Sequence, residues 1–117
     1  YPTAPLIRVK DIVNCYKIIP KKNYIFSANR TFLIKERVFS INNKNQIIKF
    51  NKSNLNKKTF VDAGQFYWAS AATWLKKKEI VSIGSKIKKI PERYAHDLNN
   101  KNDLLILKKK YKLIKKK

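Results

Sequence analysis

The sequence predicts an α/β fold, because segments with the apolar pattern of strands alternate with segments that have helical spacing. One β-hairpin interrupts that alternation. The 117 residues suffice for a single small domain with a hydrophobic core, since 44% of them are hydrophobic. No apolar run reaches the roughly 18 residues that a membrane span needs. The one cysteine cannot form an internal disulfide, and no cluster of cysteine and histidine offers a zinc site.

The first half of the chain is predicted to contain a helix, a buried strand and a hairpin. Apolar residues recur at helical spacing over residues 8–19. They are Val9, Ile12, Val13, Tyr16 and Ile19. Residues 23–28 form a short apolar run rich in β-forming residues, which predicts a buried strand. Residues 36–41 and 46–50 predict two strands joined by a turn of asparagine and lysine, and the polar residues 51–59 predict an exposed loop.

The second half is predicted to contain two strands and two helices in alternation. Residues 62–68 form the most aromatic strand of the chain. Ser70 is placed to cap a short helix, and residues 85–90 predict another strand. The last helix is predicted to start near residues 99–101 and to end as a basic helical tail over about residues 105–117. Its acidic start and basic end suit the helix dipole.

The charge of the chain raises the question of a nucleic-acid partner. There are 28 Lys and Arg residues against 7 Asp and Glu residues, a net charge of +21, and such charges neutralise phosphates. However, 24 of the basic residues are lysine, whereas bidentate recognition of phosphate or guanine favours arginine. Lysine shares A/T-rich codons with the abundant Asn and Ile. We therefore interpret the lysine runs as solvated faces, with a small basic nucleic-acid-binding protein as the alternative function.

Residues 62–68 could serve a ligand as well as the core. In a regular strand, Gln65 and Tyr67 would face one side while Phe66 and Trp68 face the other. One face would then pack in the core while the other presents an amide and a phenol to a polar ligand. The alternative interpretation is a plain aromatic core strand.

Residues 91–104 carry a second set of polar side chains. Asp97 and Asn99 would alternate on one side of a short strand that ends where a helix starts. Their oxygen atoms suit a hard cation such as Mg²⁺, which keeps waters and binds substrate phosphates. The alternative is that Asn99 or Asn100 caps the helix while Asp97 is solvated. We interpret His96, which has no second histidine or cysteine nearby, as structural.

These segments resemble, in their order and separation, the C-terminal half of the acylneuraminate cytidylyltransferases, and above all their pseudaminic acid branch. Residues 62–68 read Asp-Ala-Gly-Gln-Phe-Tyr-Trp, the wording typical of that branch. Residues 97–104 are similar to the family signature Asp-Ile-Asp-Thr-Pro-Glu-Asp-Trp, and residues 1–5 are similar to its Pro-Thr turn. The resemblance implies a partial, Rossmann-like nucleotidyltransferase domain over residues 1–117. It further implies that residues 29–60 are the hairpin arm of a cytoplasmic homodimer.

The resemblance implies a reaction and a set of site residues. CMP would pass from CTP to a nine-carbon acidic sugar with release of pyrophosphate, and Mg²⁺ would be the cofactor. The residues it places at the substrate are Thr3, Ala4, Lys52, Gln65 and Tyr67. The residues it places at the metal are Asp97 and Asn99. It assigns no catalytic side chain within these 117 residues.

The sequence departs from the family in three places. Position 99 is Asn where the family commonly has Asp, although an amide oxygen remains a usable Mg²⁺ ligand. Lys52 stands where the family has arginine, so the bidentate fork toward a sugar carboxylate is lost. The CTP-binding loop of the family has no counterpart, and the chain starts at Tyr1. We therefore expect a fragment that is inactive alone; a degenerate, non-catalytic piece is a further alternative.

Overall fold

The computed structural model describes residues 2–31, 38–51 and 58–116. Helices and strands alternate along them, which confirms the predicted α/β class. The elements are α1 (Val9–Tyr16), β1 (Ile25–Thr31), β2 (Val38–Ile41), β3 (Ile47–Asn51), β4 (Thr59–Trp68), α2 (Ala71–Leu75), β5 (Lys86–Lys89), a 3₁₀ helix (Glu92–Tyr94) and α3 (Lys101–Lys115). None of these helices is long and apolar enough to cross a membrane.

The strands form one mixed sheet in the order β3-β2-β4-β1-β5. β1 and β5 run parallel, whereas the other neighbours are antiparallel. At the start of β3, the Ile47 N–H donates to the Ser85 carbonyl at 2.8 Å and the Gly84 N–H donates to the Ile47 carbonyl at 2.8 Å. The two outer strands of the sheet are therefore joined at one end. A mixed α/β sheet of this kind is compatible with an α/β nucleotidyltransferase fold.

β2 and β3 form the predicted hairpin. In its turn, Asn42 Oδ1 accepts the N–H of Gln46 at 3.0 Å, and Asn45 takes a left-handed φ of 58° that asparagine tolerates. The hairpin contributes Phe39 and Ile47 to the core, where both side chains are buried. Its role as a dimer arm stays a prediction.

The core lies on both faces of the sheet. One cluster consists of Phe26, Ala28, Phe39, Ile47, Phe60 and Ile87. A second cluster, beneath α1, consists of Cys15, Ile25 and Phe66. Because neighbouring residues of a strand point to opposite faces, Ile25 and Phe26 belong to different clusters. Burial raises the pKa of Cys15 to about 11, so its thiol stays protonated at neutral pH as a structural residue.

α1 lies within the predicted range, but its buried face is not the predicted apolar stripe. Val9, Val13 and Tyr16 of that stripe are exposed, and the buried residues of the helix are Asp11 and Cys15. Arg8 Nε donates to Asp11 Oδ2 at 2.7 Å, so the buried carboxylate has a charged partner. Ile12 of the predicted stripe packs against the cluster of Cys15, so the helix faces the sheet with one residue of the stripe together with an ion pair and a small thiol.

Local signals in the second half of the chain are largely confirmed. Ser70 caps α2, since its Oγ accepts the Thr73 N–H at 3.2 Å. α3 starts at Lys101, and the helical tail continues to Lys115. One boundary is wrong: Thr59 is a buried residue of β4 rather than part of an exposed loop, because its hydroxyl donates to the Thr31 carbonyl. Residues 52–57 of that predicted loop lie outside the described residues.

Candidate functional site

A cavity of about 200 Å³ opens where β4 meets the segment between the 3₁₀ helix and α3. We call it the acidic pocket. Its polar lining residues are Asn29, Asp62, His96, Asp97, Asn99 and Asp103. The cavity therefore joins the two segments, residues 62–68 and 97–104, that the sequence singles out.

A bulge in β4 shapes one wall of the acidic pocket. Ser27 of β1 stands opposite four residues of β4, residues 63–66. Gly64, within the bulge, has a φ of +68°, and its N–H donates to Asp62 Oδ1 at 2.9 Å. The bulge interrupts the regular alternation at residues 63–66, whereas Phe66 and Trp68 pack in one cluster and Tyr67 in the other, as predicted.

Asp97 lies directly beside Gly64. A Cβ atom on Gly64 would lie 3.4 Å from Asp97 Oδ2, an ordinary van der Waals contact, so Asp97 packs directly beside Gly64 and the positive φ is what favours glycine there. Asp97 Oδ2 accepts a long hydrogen bond of 3.4 Å from Asn99 Nδ2. Asp97 Oδ1 is buried and has no hydrogen-bond partner within the part of the chain that the structure describes. A buried carboxylate oxygen without a donor is costly unless a cation or water meets it.

Asp62 is the second carboxylate of the acidic pocket. Tyr67 donates its hydroxyl to Asp62 Oδ2 at 2.7 Å. Burial raises the pKa of Asp62, the hydrogen bonds from Tyr67 and Gly64 oppose that rise, and the negative charge of Asp97 adds to it. Two carboxylates that share a cavity in this way favour a positive charge between them. The sequence reasoning missed Asp62, although an acidic residue at the head of an aromatic run is a visible signal.

The segment that carries Asp97 and Asn99 is not the predicted short strand. It follows a 3₁₀ helix as irregular backbone, because its N–H groups bond to a side chain and to the N-terminal turn instead of a neighbouring strand. Asp103 Oδ2 accepts the N–H of Asn99 at 2.9 Å. Asn100 is the N-cap of α3, since its Oδ1 accepts the Asp103 N–H at 3.0 Å, which confirms the capping part of the alternative interpretation. The side chain of Asn99 is directed to Asp97 instead.

The N-terminal turn lies beside this segment. The Leu98 N–H donates to the Thr3 carbonyl at 2.8 Å. The Thr3 side chain is exposed, whereas Ala4 is buried, and neither residue lines the acidic pocket. The proximity of the turn to Asp97 accords with the expectation for residues 1–5, and contact of Thr3 and Ala4 with substrate stays a prediction.

Gln65 and Tyr67 have separate neighbours in the structure. Gln65 is buried, and its Nε2 donates to the Tyr94 carbonyl at 2.6 Å. The Tyr67 ring packs against Phe26 of the core, with ring centroids 5.9 Å apart. These contacts favour the interpretation of a core strand, and substrate binding by both residues stays a prediction. Lys52, the other predicted substrate ligand, lies outside the described residues.

We expect the Tyr67→Phe substitution to destabilise the protein mainly through Asp62. The ring would still pack on Phe26, but Asp62 would lose a donor, a loss that costs about 1–3 kcal/mol. The raised pKa of Asp62 would rise further, because the lost hydrogen bond favoured the charged carboxylate. The destabilisation should therefore be larger at neutral pH than at a pH below about 3.9, the ordinary pKa of aspartate. Denaturant unfolding at both pH values, with the exposed Tyr16→Phe as control, measures this. Equal losses at both pH values would contradict it.

Most of the polar side chains that line the acidic pocket carry an oxygen atom that can bind a cation, and His96 adds an imidazole. Among residues 2–31, 38–51 and 58–116, no group of three or more His, Cys, Asp and Glu side chains is arranged to hold a metal ion. For a cation the pocket offers the carboxylates of Asp62 and Asp97 and the amide of Asn99, since the oxygens of the third carboxylate, Asp103, are already hydrogen-bonded; Asn29 and His96 also line the cavity. This small set is typical of a hard cation that keeps several waters and shares its coordination with a substrate.

Comparison with known proteins finds two similar proteins of the same kind. No family model matches the chain. Two curated proteins, each a pseudaminic acid cytidylyltransferase, come from Campylobacter jejuni subsp. jejuni serotypes O:23/36 and O:2. Each is 26% identical over 121 residues, and the match covers 97% of this chain and 52% of the relative. The chain spans about half the length of these relatives. The predicted resemblance is thus confirmed: over nearly its whole length, the chain is similar to pseudaminic acid cytidylyltransferases.

Proposed function

We propose that this chain is part of a cytidylyltransferase that transfers CMP from CTP to pseudaminic acid or a related nine-carbon acidic sugar. Pyrophosphate is the second product. The observation that carries the proposal is the acidic pocket, which brings Asp62 and Asp97 together from the two segments that resemble the family. The similarity to two pseudaminic acid cytidylyltransferases supports the reaction class. We further propose a Rossmann-like domain, a homodimer and a cytoplasmic location.

Asp97 and Asn99 are the proposed Mg²⁺ ligands, with Asp62 as the neighbouring carboxylate. The fit rests on Asp97 Oδ1, a buried oxygen that has no donor among the described residues and would gain a cation. Asn99 would turn its amide so that Oδ1 rather than Nδ2 faces the ion. When bound, Mg²⁺ would neutralise phosphate charge in a reaction that depends mostly on positioning and electrostatics.

Gly64 and Tyr67 prepare this site in the proposed function. Gly64 adopts the positive φ of the bulge beside the Asp97 carboxylate. The Tyr67 hydroxyl and the Gly64 N–H both donate to Asp62, so that this carboxylate keeps a fixed orientation at the edge of the pocket. A carboxylate with a fixed orientation needs little reorganisation when a cation binds, and such preorganisation is the basis of electrostatic catalysis.

An assay of the full-length protein that contains this chain tests the proposal. We expect CMP-sugar and pyrophosphate when CTP, Mg²⁺ and pseudaminic acid are supplied, and no product when only the 117-residue polypeptide is used. Legionaminic and sialic acids serve as comparison sugars. Failure of transfer to all three acids would overturn the proposal. Nanomolar, sequence-selective binding to RNA, instead of a non-specific Kd of about 10⁻⁴–10⁻⁶ M, would favour a nucleic-acid-binding protein.

A further inference from the structure

The carboxylate of Asp103 collects hydrogen-bond donors from the loop that precedes its helix. Oδ2 accepts the N–H groups of Asn99, at 2.9 Å, and Asn100, at 3.1 Å. Oδ1 lies 2.9 Å from His96 Nε2. We infer that Asp103 is a positioning residue of the acidic pocket. It holds residues 96–100 so that the side chains of Asp97 and Asn99 lie side by side.

The contacts of Asp103 extend beyond helix capping. A capping box needs only the reciprocal bonds between Asn100 and Asp103, and both are present. The bonds to His96 and Asn99 reach seven and four residues back along the chain. They fix the residues on either side of the Asp97–Leu98 pair. The Leu98 N–H is itself held by the Thr3 carbonyl, so the backbone around Asp97 is anchored on both sides.

Helix α3, which carries Asp103, is packed against neighbouring parts of the protein. It lies in the first turn of α3, where a negative charge suits the helix dipole. Further along this helix, Leu107 is buried. Lys110 Nζ donates to the carbonyls of Glu92, at 2.9 Å, and Ala95, at 3.3 Å. The helix is therefore joined to the 3₁₀ helix that leads into the same loop, so Asp103 connects the pocket to packed structure.

The link to activity rests on the proposed function. Groups that bind phosphate or metal must be held within a fraction of an ångström of their working positions. The residues that orient such ligands typically change metal affinity by about 10–100-fold when they are replaced. In the proposed function, Asp103 itself contacts neither the metal nor the substrate phosphate, because its two oxygens are occupied by His96, Asn99 and Asn100.

The test compares two alanine variants of the same capping box. Asp103→Ala removes the acceptor of the loop donors, whereas Asn100→Ala removes the cap oxygen but leaves those three contacts in place. Amide hydrogen exchange is measured in the full-length protein without metal. We expect the backbone amides of positions 99 and 100 to exchange at least about tenfold faster in Asp103→Ala than in Asn100→Ala, the size of one lost hydrogen bond of about 1.4 kcal/mol.

Mn²⁺ binding without substrates gives the second readout. Asp103→Ala should weaken Mn²⁺ affinity by about 10–100-fold, while Asn100→Ala should leave it near the unsubstituted value. If Asp103→Ala does not fold, Asp103→Asn replaces it. Equal exchange rates in the two variants would overturn the inference and leave Asp103 a helix cap. Absence of Mn²⁺ binding by the unsubstituted protein would count against the proposed function, and hydrogen exchange would still decide the role of Asp103.

Discussion

The Asp97→Ala substitution is expected to lower the rate of CMP transfer by about two or more orders of magnitude, the size typical of losing one transition-state electrostatic contact. Asp97 is the carboxylate whose buried Oδ1 has no donor within the described structure, and it lies against Gly64. Without Asp97, only Asn99 and Asp62 would remain beside the proposed Mg²⁺, and two side chains would be too few to hold it. Pyrophosphate release by the full-length protein across a Mg²⁺ titration measures the effect.

The matched control for this prediction is Asn99→Asp. It restores the residue that the family commonly has and adds negative charge for Mg²⁺, so activity should be retained and less Mg²⁺ should be needed. Unfolding curves of both variants separate a loss of chemistry from a loss of folded protein. An unchanged rate and an unchanged Mg²⁺ requirement in Asp97→Ala would contradict the metal assignment.

The Phe26→Ala substitution is expected to reduce the free energy of unfolding by about 3–5 kcal/mol, the usual cost of removing a buried phenylalanine. Phe26 is 0% exposed and lies in β1, the strand between β4 and β5. Its ring contacts those of Phe39 and Tyr67, with centroids 6.1 Å and 5.9 Å away. Denaturant unfolding of the full-length protein is the measurement.

Leu113→Ala provides the comparison for Phe26→Ala. Leu113 is 65% exposed on α3, so its truncation should change stability by less than about 0.5 kcal/mol. A loss near 1 kcal/mol for Phe26→Ala, similar to an average substitution, would mean that the cluster around this ring is not the centre of the core.

The sequence was sufficient wherever the signal is local. The cap at Ser70, the turn at residues 42–45 and the strand at β4 all depend on side chains within a few residues of each other. The resemblance to cytidylyltransferases likewise came from continuous motifs, and it is confirmed.

The features that could not be predicted from the sequence depend on contacts with other side chains or strands. The burial of Asp11 on α1 depends on its pair with Arg8, which apolar periodicity does not register. The bulge at residues 63–66 requires knowledge of the opposing strand. The approach of Asp62 and Asp97, 35 positions apart in the sequence, depends on both the bulge and the loop before α3. For this reason the acidic pocket was only half predicted.

The junction between the start of β3 and the chain before β5 has a consequence for folding kinetics. The Ile47–Gly84 and Ile47–Ser85 bonds connect residues far apart in sequence, and the parallel pairing of β1 with β5 spans a still longer loop. Contacts of this range are formed only after a large loss of chain entropy, which slows folding relative to helical or simple hairpin proteins. The hairpin and β5 should therefore become ordered together and late, as one cooperative unit.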